Sequence, residues 1–271
     1  MNSTIQDAIA LKTNPVALLW ADEKPSDATE FKPGNWGCIM WLASGAAKGK
    51  TGVCSRETFG CFGGGVGMGF GDQYENFPGG KECFRHFLSS GNADSETGRQ
   101  AAEKVKPFMR KEAHDHFLHG EGYFKSPQLV QKYIDSLPMI DIPARYVVFK
   151  PLNAIKNGET PRSIIFFVDP DQLSALVVLA NYGRGNNENV IIPYAAGCQT
   201  IGIYPYREAQ SDRPRAVVGL TDLSARVYVK KMLGDNLMSF AVPYALFQEM
   251  EGSVKGSFLE RSVWKSLVGN K

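Results

Sequence analysis

Three of the chain's five cysteines, Cys38, Cys54 and Cys61, fall between Gly37 and Gly71, and Gly63, Gly64, Gly65, Gly67, Gly69 and Gly71 close that stretch. Thiolates are soft ligands that select iron–sulfur clusters, zinc or copper(I). Six glycines in nine residues give up side-chain packing and cost backbone entropy, which points to unusual backbone angles or to a group pressed against bare main chain. A further cysteine, Cys198, follows a glycine as Cys38 does. Cys38, Cys54, Cys61 and Cys198 therefore form the candidate ligand set, and a 4Fe–4S cluster is its favoured occupant. Their spacing is fifteen and six intervening residues and then a long gap. That matches no compact ferredoxin run and lacks the Cys-x-x-Cys knuckles of a structural zinc site.

In this reading the backbone N–H groups of Gly63, Gly64 and Gly65 donate to cluster sulfides and steady their negative charge. Arg56 and Glu57, between two candidate ligands, contact the ligands or a substrate. Cys83 lies in Lys81-Glu82-Cys83-Phe84-Arg85-His86-Phe87-Leu88, where it shares a helical face with Phe84, Phe87 and Leu88. It reads as a small buried side chain, and it competes with Cys198 for the place of fourth ligand.

Two other chemistries stay open. A Gly63–Gly71 loop could cradle an anion or small cofactor without metal, although it fits neither G-x-G-x-x-G nor a Walker loop. Alternatively, Cys38 or Cys198 could be a nucleophile with His86 or His114 as base. The pattern His114-Asp115-His116-x-x-His119 places 116 and 119 on one helical face, which allows zinc but reads more simply as a solvated helix end before Gly120. Asp222 and Arg226 read as a local surface ion pair.

The elements that must position these groups follow from pattern. Residues 4–12 form a short amphipathic helix, and Pro15 to Trp20 a buried strand. The polar segment 22–35 is a loop delivering the chain to Cys38, which begins a buried helix over 39–47. Near a helix N-terminus the unpaired N–H groups and the dipole favour a thiolate. Residues 52–54 are extended, and 95–131 are charged and helical. Ser126-Pro127 caps a helix to about residue 137. Strands follow at 145–151 and 163–168, then a helix capped by Asp169-Pro170 and a strand at 190–192, a β-α-β arrangement. Strands at 215–220 and 238–242 and helices at 243–250 and 253–267 complete a mixed α/β domain over 1–271. The pairs Gly37-Cys38 and Gly197-Cys198, each downstream of an apolar strand, form a faint internal echo.

Composition narrows the function. With 43% apolar and 21% charged residues and a net charge of +2, the chain has the profile of a soluble globular protein and no electrostatic footprint for nucleic acid. Its N-terminus lacks a signal peptide pattern and its apolar runs are too short to span a bilayer. Clustered cysteines, odd in number, fit a reducing cytoplasm better than a disulfide framework. The expected partner is a small molecule or a redox protein, with homo-oligomerisation open and nucleic acid and membrane excluded. The expected role is redox, sensing or activation of a small ligand.

The residues Pro15-Val16-Ala17, Gly37-Cys38, Cys54, Cys61-Phe62-Gly63-Gly64, Asp169-Pro170-x-Gln172, Gly197-Cys198 and Asp222-x-Ser224-Ala225-Arg226 resemble the DUF169 family of bacterial and archaeal proteins over nearly the whole chain. The resemblance implies a soluble prokaryotic cytoplasmic protein. Family members are similar in carrying a cysteine near Cys38, a Cys-Gly-Gly segment like Cys61 to Gly64, and a later cysteine like Cys198. Some also carry a cysteine where Thr221-Asp222-Leu223 stands here.

Overall fold

The computed structural model describes residues 2–109 and 111–269. Met1, Arg110, Asn270 and Lys271, which the expected 1–271 domain includes, lie outside them. The chain forms two compact units: one takes in the sequence up to Phe70 and from Ile140 onward, the other is Gly71–Met139.

The first unit begins with α1 (Thr4–Ala8), β1 (Val16–Ala21), α2 (Ile39–Ala47), β2 (Gly52–Ser55) and α3 (Phe62–Met68). The second unit is helical: α4 (Gly80–Phe87), α5 (Glu96–Val105), α6 (Lys111–His119) and α7 (Pro127–Ser136). Its core is aromatic. Tyr74 stacks on Phe84 with centroids 3.9 Å apart, and Phe77 stacks on Phe117 at 5.7 Å. Buried Asn92 donates through Nδ2 to the Cys83 and Phe117 carbonyls, both at 3.0 Å, which ties α4 to α6. Cys83 is buried in this core, as its helical face predicts. Ser126 caps α7 through the Leu129 N–H.

The chain then returns to the first unit with β3 (Tyr146–Pro151), β4 (Ser163–Val168), α8 (Pro170–Tyr182), β5 (Val190–Ile191), α9 (Gly197–Ile201), α10 (Ile203–Glu208), β6 (Ala216–Gly219), α11 (Leu223–Leu233), β7 (Met238–Pro243), α12 (Tyr244–Gly252) and α13 (Ser262–Val268). The strands make one mixed seven-stranded sheet in the order β2-β3-β1-β4-β7-β6-β5. All neighbours are antiparallel except β5 and β6. The β4-α8-β5 segment does run between parallel strands, but β7 and β6 lie between them.

Side chains alternate across the sheet. One face, carrying Ala17, Leu19, Val53, Val148, Ile164, Phe166, Phe240 and Val242, packs against Leu176, Leu179, Leu246, Phe247 and Trp264 from α8, α12 and α13. Burying each large side chain contributes about 1.5–3 kcal/mol. The few polar contacts on this side serve as ties. Asp169 and Gln172 form a reciprocal cap at the start of α8, and Trp264 Nε1 donates to the Ala8 carbonyl at 2.8 Å. The opposite face, with Leu18, Phe149, Ile165, Phe167, Val217 and Ala241, is covered by α2, α9 and α10.

Several expectations are corrected. The first helix ends at Ala8, because Ala10 takes a left-handed φ of 50°. The 253–267 helix is broken into a 3-10 turn at Phe258–Glu260 and the separate α13, and residues 197–208 and 223–233 are helical. The expected Gly63–Gly71 loop is helix α3, closed by Gly69 in the left-handed region at φ 87°. Among the described residues no helix is long and apolar enough to cross a membrane.

Candidate functional site

Cys38 is the residue before the first turn of α2, with extended backbone, and Cys61 holds the same place before α3. Cys198 is the second residue of α9, so the echo between Gly37-Cys38 and Gly197-Cys198 corresponds to two cysteines at helix starts. The glycines explain how these starts come together. A Cβ on Gly60, itself at φ 77°, would lie 2.6 Å from the Gly37 carbonyl oxygen, so the segments leading into Cys38 and Cys61 are pressed backbone to backbone. A Cβ on Gly67 would lie 2.8 Å from the Cys198 carbonyl carbon, which seats α3 directly on α9. Only glycine admits such approaches.

Helix α9 is anchored from below. The Ser163 hydroxyl donates to the Ile201 carbonyl at 3.3 Å. Thr200 enters a gap left by Gly219, where a Cβ would lie 2.0 Å from its Oγ1. Gln199 Oε1 accepts the Ala196 N–H at 3.0 Å and fixes the first turn.

Each of Cys38, Cys61 and Cys198 lies within electrostatic reach of the other two, and Asp222 is within reach of Cys38 and Cys198. Burial pushes the Cys38 thiol well above the usual range, and Cys61 raises it further. The Met40 and Trp41 backbone N–H groups pull the other way without completing a cap hydrogen bond. Cys198 is pushed up by burial first, then by Cys61, Cys38 and Asp222. Its Sγ donates to the Gly63 carbonyl at 3.0 Å, while Cys61 Sγ accepts the Gly64 N–H at 3.3 Å. The raised Cys38 and Cys198 thiols keep their protons unless a cation takes the proton's place.

The other predicted residues go elsewhere. Cys54 is fully buried on β2; its electrostatic neighbours are Glu30 and Tyr206. Arg56 donates to Asp141 Oδ1 and to the Ile142 carbonyl, both at 2.7 Å, and its guanidinium sits 5.3 Å from the Phe70 ring centroid. It ties two loops of the first unit together. Gly64 and Gly65 are buried in α3; of the three predicted cradle glycines, Gly63 touches the site through its carbonyl and Gly64 through its N–H. Their N–H groups belong to a helix start rather than to a loop.

All four histidines lie between residues 71 and 139, so the first unit supplies no imidazole as a base. His86 Nδ1 meets Ser90 Oγ and His114 Nε2 meets the Ala102 carbonyl. Among the described residues no group of three or more His, Cys, Asp or Glu side chains is arranged to hold a metal ion.

Asp222 is the residue that sequence reasoning placed wrongly. It does not pair with Arg226. It caps α11 through the Ser224 and Ala225 N–H groups, and Arg226 donates to the Leu220 and Leu237 carbonyls instead. The signal was present, since an Asp followed by Leu-Ser-Ala-Arg is a helix N-cap pattern.

No curated protein and no solved structure matches the chain. The DUF169 family, described as Uncharacterised ArCR, COG2043, matches residues 4–253 of the 271. The match takes in every strand of the sheet and all three gathered cysteines, and the chain belongs to that family.

Proposed function

We propose that Cys38, Cys61 and Cys198 hold an iron–sulfur cluster of the 4Fe–4S type, and that the protein uses it in a redox or small-ligand-activating role in a reducing cytoplasm. The observation that carries this reading is the convergence of three thiols from three separate segments, while Cys54 and Cys83 are left in ordinary packed positions. All five cysteines are free, so the gathering has no disulfide to account for it. Thiolates select such clusters. The N–H groups at the starts of α2 and α3 favour the negative charge that a thiolate-ligated cluster carries. With three cysteines, one iron of a cubane is left for a group other than cysteine, and that position is where a small ligand would bind. Aromatic residues flank Cys38 and Cys61 in sequence: Trp36, 55% exposed, meets Phe62 edge-on at 6.2 Å, and Trp41 lies 6.1 Å from Phe31.

The test is iron, zinc and acid-labile sulfide content with visible absorption, on protein purified without oxygen and again after reconstitution with iron and sulfide. Iron and sulfide in equal amounts are expected. Cys38→Ser, Cys61→Ser and Cys198→Ser each lose them, whereas Cys54→Ser and Cys83→Ser keep them. Zinc without sulfide would make this a mononuclear thiolate site. Protein that takes up no metal, or equal loss from all five variants, would overturn the reading.

A further inference from the structure

We infer that the free edge of the sheet at β5 pairs with the same edge of a second copy of this chain, making a two-fold dimer; this goes beyond the cluster reading and does not depend on it. The two ends of the sheet are finished differently. At β2 the outward groups are taken up within the chain: the Val53 N–H donates to the Thr29 carbonyl and the Thr29 N–H to the Thr51 carbonyl, both at 2.9 Å. At β5 nothing does this. Among the described residues its strand partner is β6 alone. The Ala216 N–H donates to the Asn189 carbonyl at 2.9 Å, which turns Asn189 and Ile191 toward β6 and leaves the N–H and C=O groups of Val190 and Ile192 pointing outward. Neither of these two residues has a backbone partner among the described residues.

An unpaired edge is a template for another chain, and proteins blunt it with charge, a bulge or proline. The run Val190-Ile191-Ile192-Pro193 carries no charge. Its proline does not block pairing: the Pro193 carbonyl accepts the Thr221 hydroxyl at 3.1 Å, just past β6, so the missing N–H falls on the inward side. Strand β5 is short, and exposed apolar groups beside it supply the rest of the contact. Ile192 is 66% exposed, and Leu223, next but one after Thr221, is 63% exposed. The edge is also self-complementary. With Ile191 on a two-fold axis, Val190 faces the partner's Ile192 and Ile192 faces the partner's Val190, and each facing pair exchanges N–H and C=O bonds. The sheet then runs on, antiparallel, across the axis. The same segment continues to Cys198 at the start of α9, so the interface steadies the chain that delivers one of the gathered thiols.

The experiment is sedimentation equilibrium on the full chain as wild type, Ile192→Lys and Val263→Lys. Wild type and Val263→Lys, a change at an exposed position on α13, are expected at twice the mass of the chain. Ile192→Lys, which sets a charge against the partner edge, is expected at the mass of one chain with an unchanged circular dichroism spectrum. Ile191→Cys gives a readout that does not depend on loss. Facing residues at the axis have Cα atoms about 4.5 Å apart, a span that a disulfide bridges, so diamide should link two copies of this variant and leave wild type, treated alike, unlinked. In hydrogen exchange the Val190 and Ile192 amides should be protected in wild type, and the Val190 amide should open in Ile192→Lys. A monomeric wild type would overturn the inference. So would a dimer that survives Ile192→Lys and shows no Ile191→Cys link, since its contact would lie on another surface.

Discussion

The two faces of the sheet are built from the same strands and differ in nearly everything laid on them. The face under α8, α12 and α13 is a continuous apolar core in which each large side chain meets others of its kind. The face under α2, α9 and α10 is packed by short helices whose contacts pass through glycines, and it carries buried polar groups without a hydrogen-bond partner, the Ser44 and Ser239 hydroxyls among them. All three gathered cysteines come from helix starts on this second side. The lesson is that close backbone approach, rather than side-chain bulk, brings chemistry-bearing residues from distant segments together.

Mutation can sharpen the contrast. The largest stability effect is expected on the apolar face, where Phe166→Ala removes a fully buried ring beside Phe247. It should lower the unfolding free energy by about 3–5 kcal/mol, measured by denaturant titration, with iron per folded molecule unchanged. Gly67→Ala tests the other face. Its Cβ would lie 2.8 Å from the backbone of Cys198, so a loss of about 1–3 kcal/mol should come together with lost iron. Stability lost with full iron retention would separate the packing of α3 from the site.

Glu208, at the end of α10 on the second face, tests its electrostatics. Burial would push this carboxyl up, but hydrogen bonds from Arg215 and Arg207 outweigh it and hold the group below its ordinary value. A carboxylate lowered in the folded state stabilises above its ordinary value, and that stabilisation is lost as pH falls through the lower folded one. Both arginines are partly exposed, which discounts the effect. Glu208→Gln should cost about 1–2 kcal/mol at neutral pH and flatten the acid limb of a stability-against-pH curve. An unchanged acid limb would remove Glu208 from the account. The smallest effect, and the one of opposite sign, is at Gly45 in mid α2. A Cβ there meets nothing within 4 Å, so Gly45→Ala should stabilise by about 0.5–1 kcal/mol, read as a raised thermal midpoint.

How far the sequence led is clearest from neighbouring elements. Helix α2 was legible at Ile39–Ala47 because small and apolar residues fill it without interruption. Strand β4 was legible as SIIFFV and α8 from Asp169-Pro170 with Gln172. Helix α3 was not: FGGGVGM has a poor intrinsic propensity, each interior glycine costing roughly 1 kcal/mol against alanine, and packing on α9 overrides it. Helix α10 carries Pro205 and follows directly on Gly202, both of which read as breaks. Helix α11 buries only Ala225 and Val229 while Leu223 and Val227 stay exposed, so its apolar periodicity is blurred.

By itself the sequence determined the alternation that makes the strands, the caps that start α7 and α8, the family, and the short set of residue types able to hold a soft metal. It could not say which cysteines meet. That was decided by tertiary structure: Gly60 and Gly67 let backbones touch at Gly37 and Cys198, and Gly197 lets the start of α9 close on the Ala225 and Met40 side chains. The same folding step leaves Cys54 on β2 beside Tyr206 and turns Asp222 from a supposed surface partner of Arg226 into a neighbour of Cys38 and Cys198. Spacing along a chain does not encode such contacts, since they depend on which surfaces lack a Cβ.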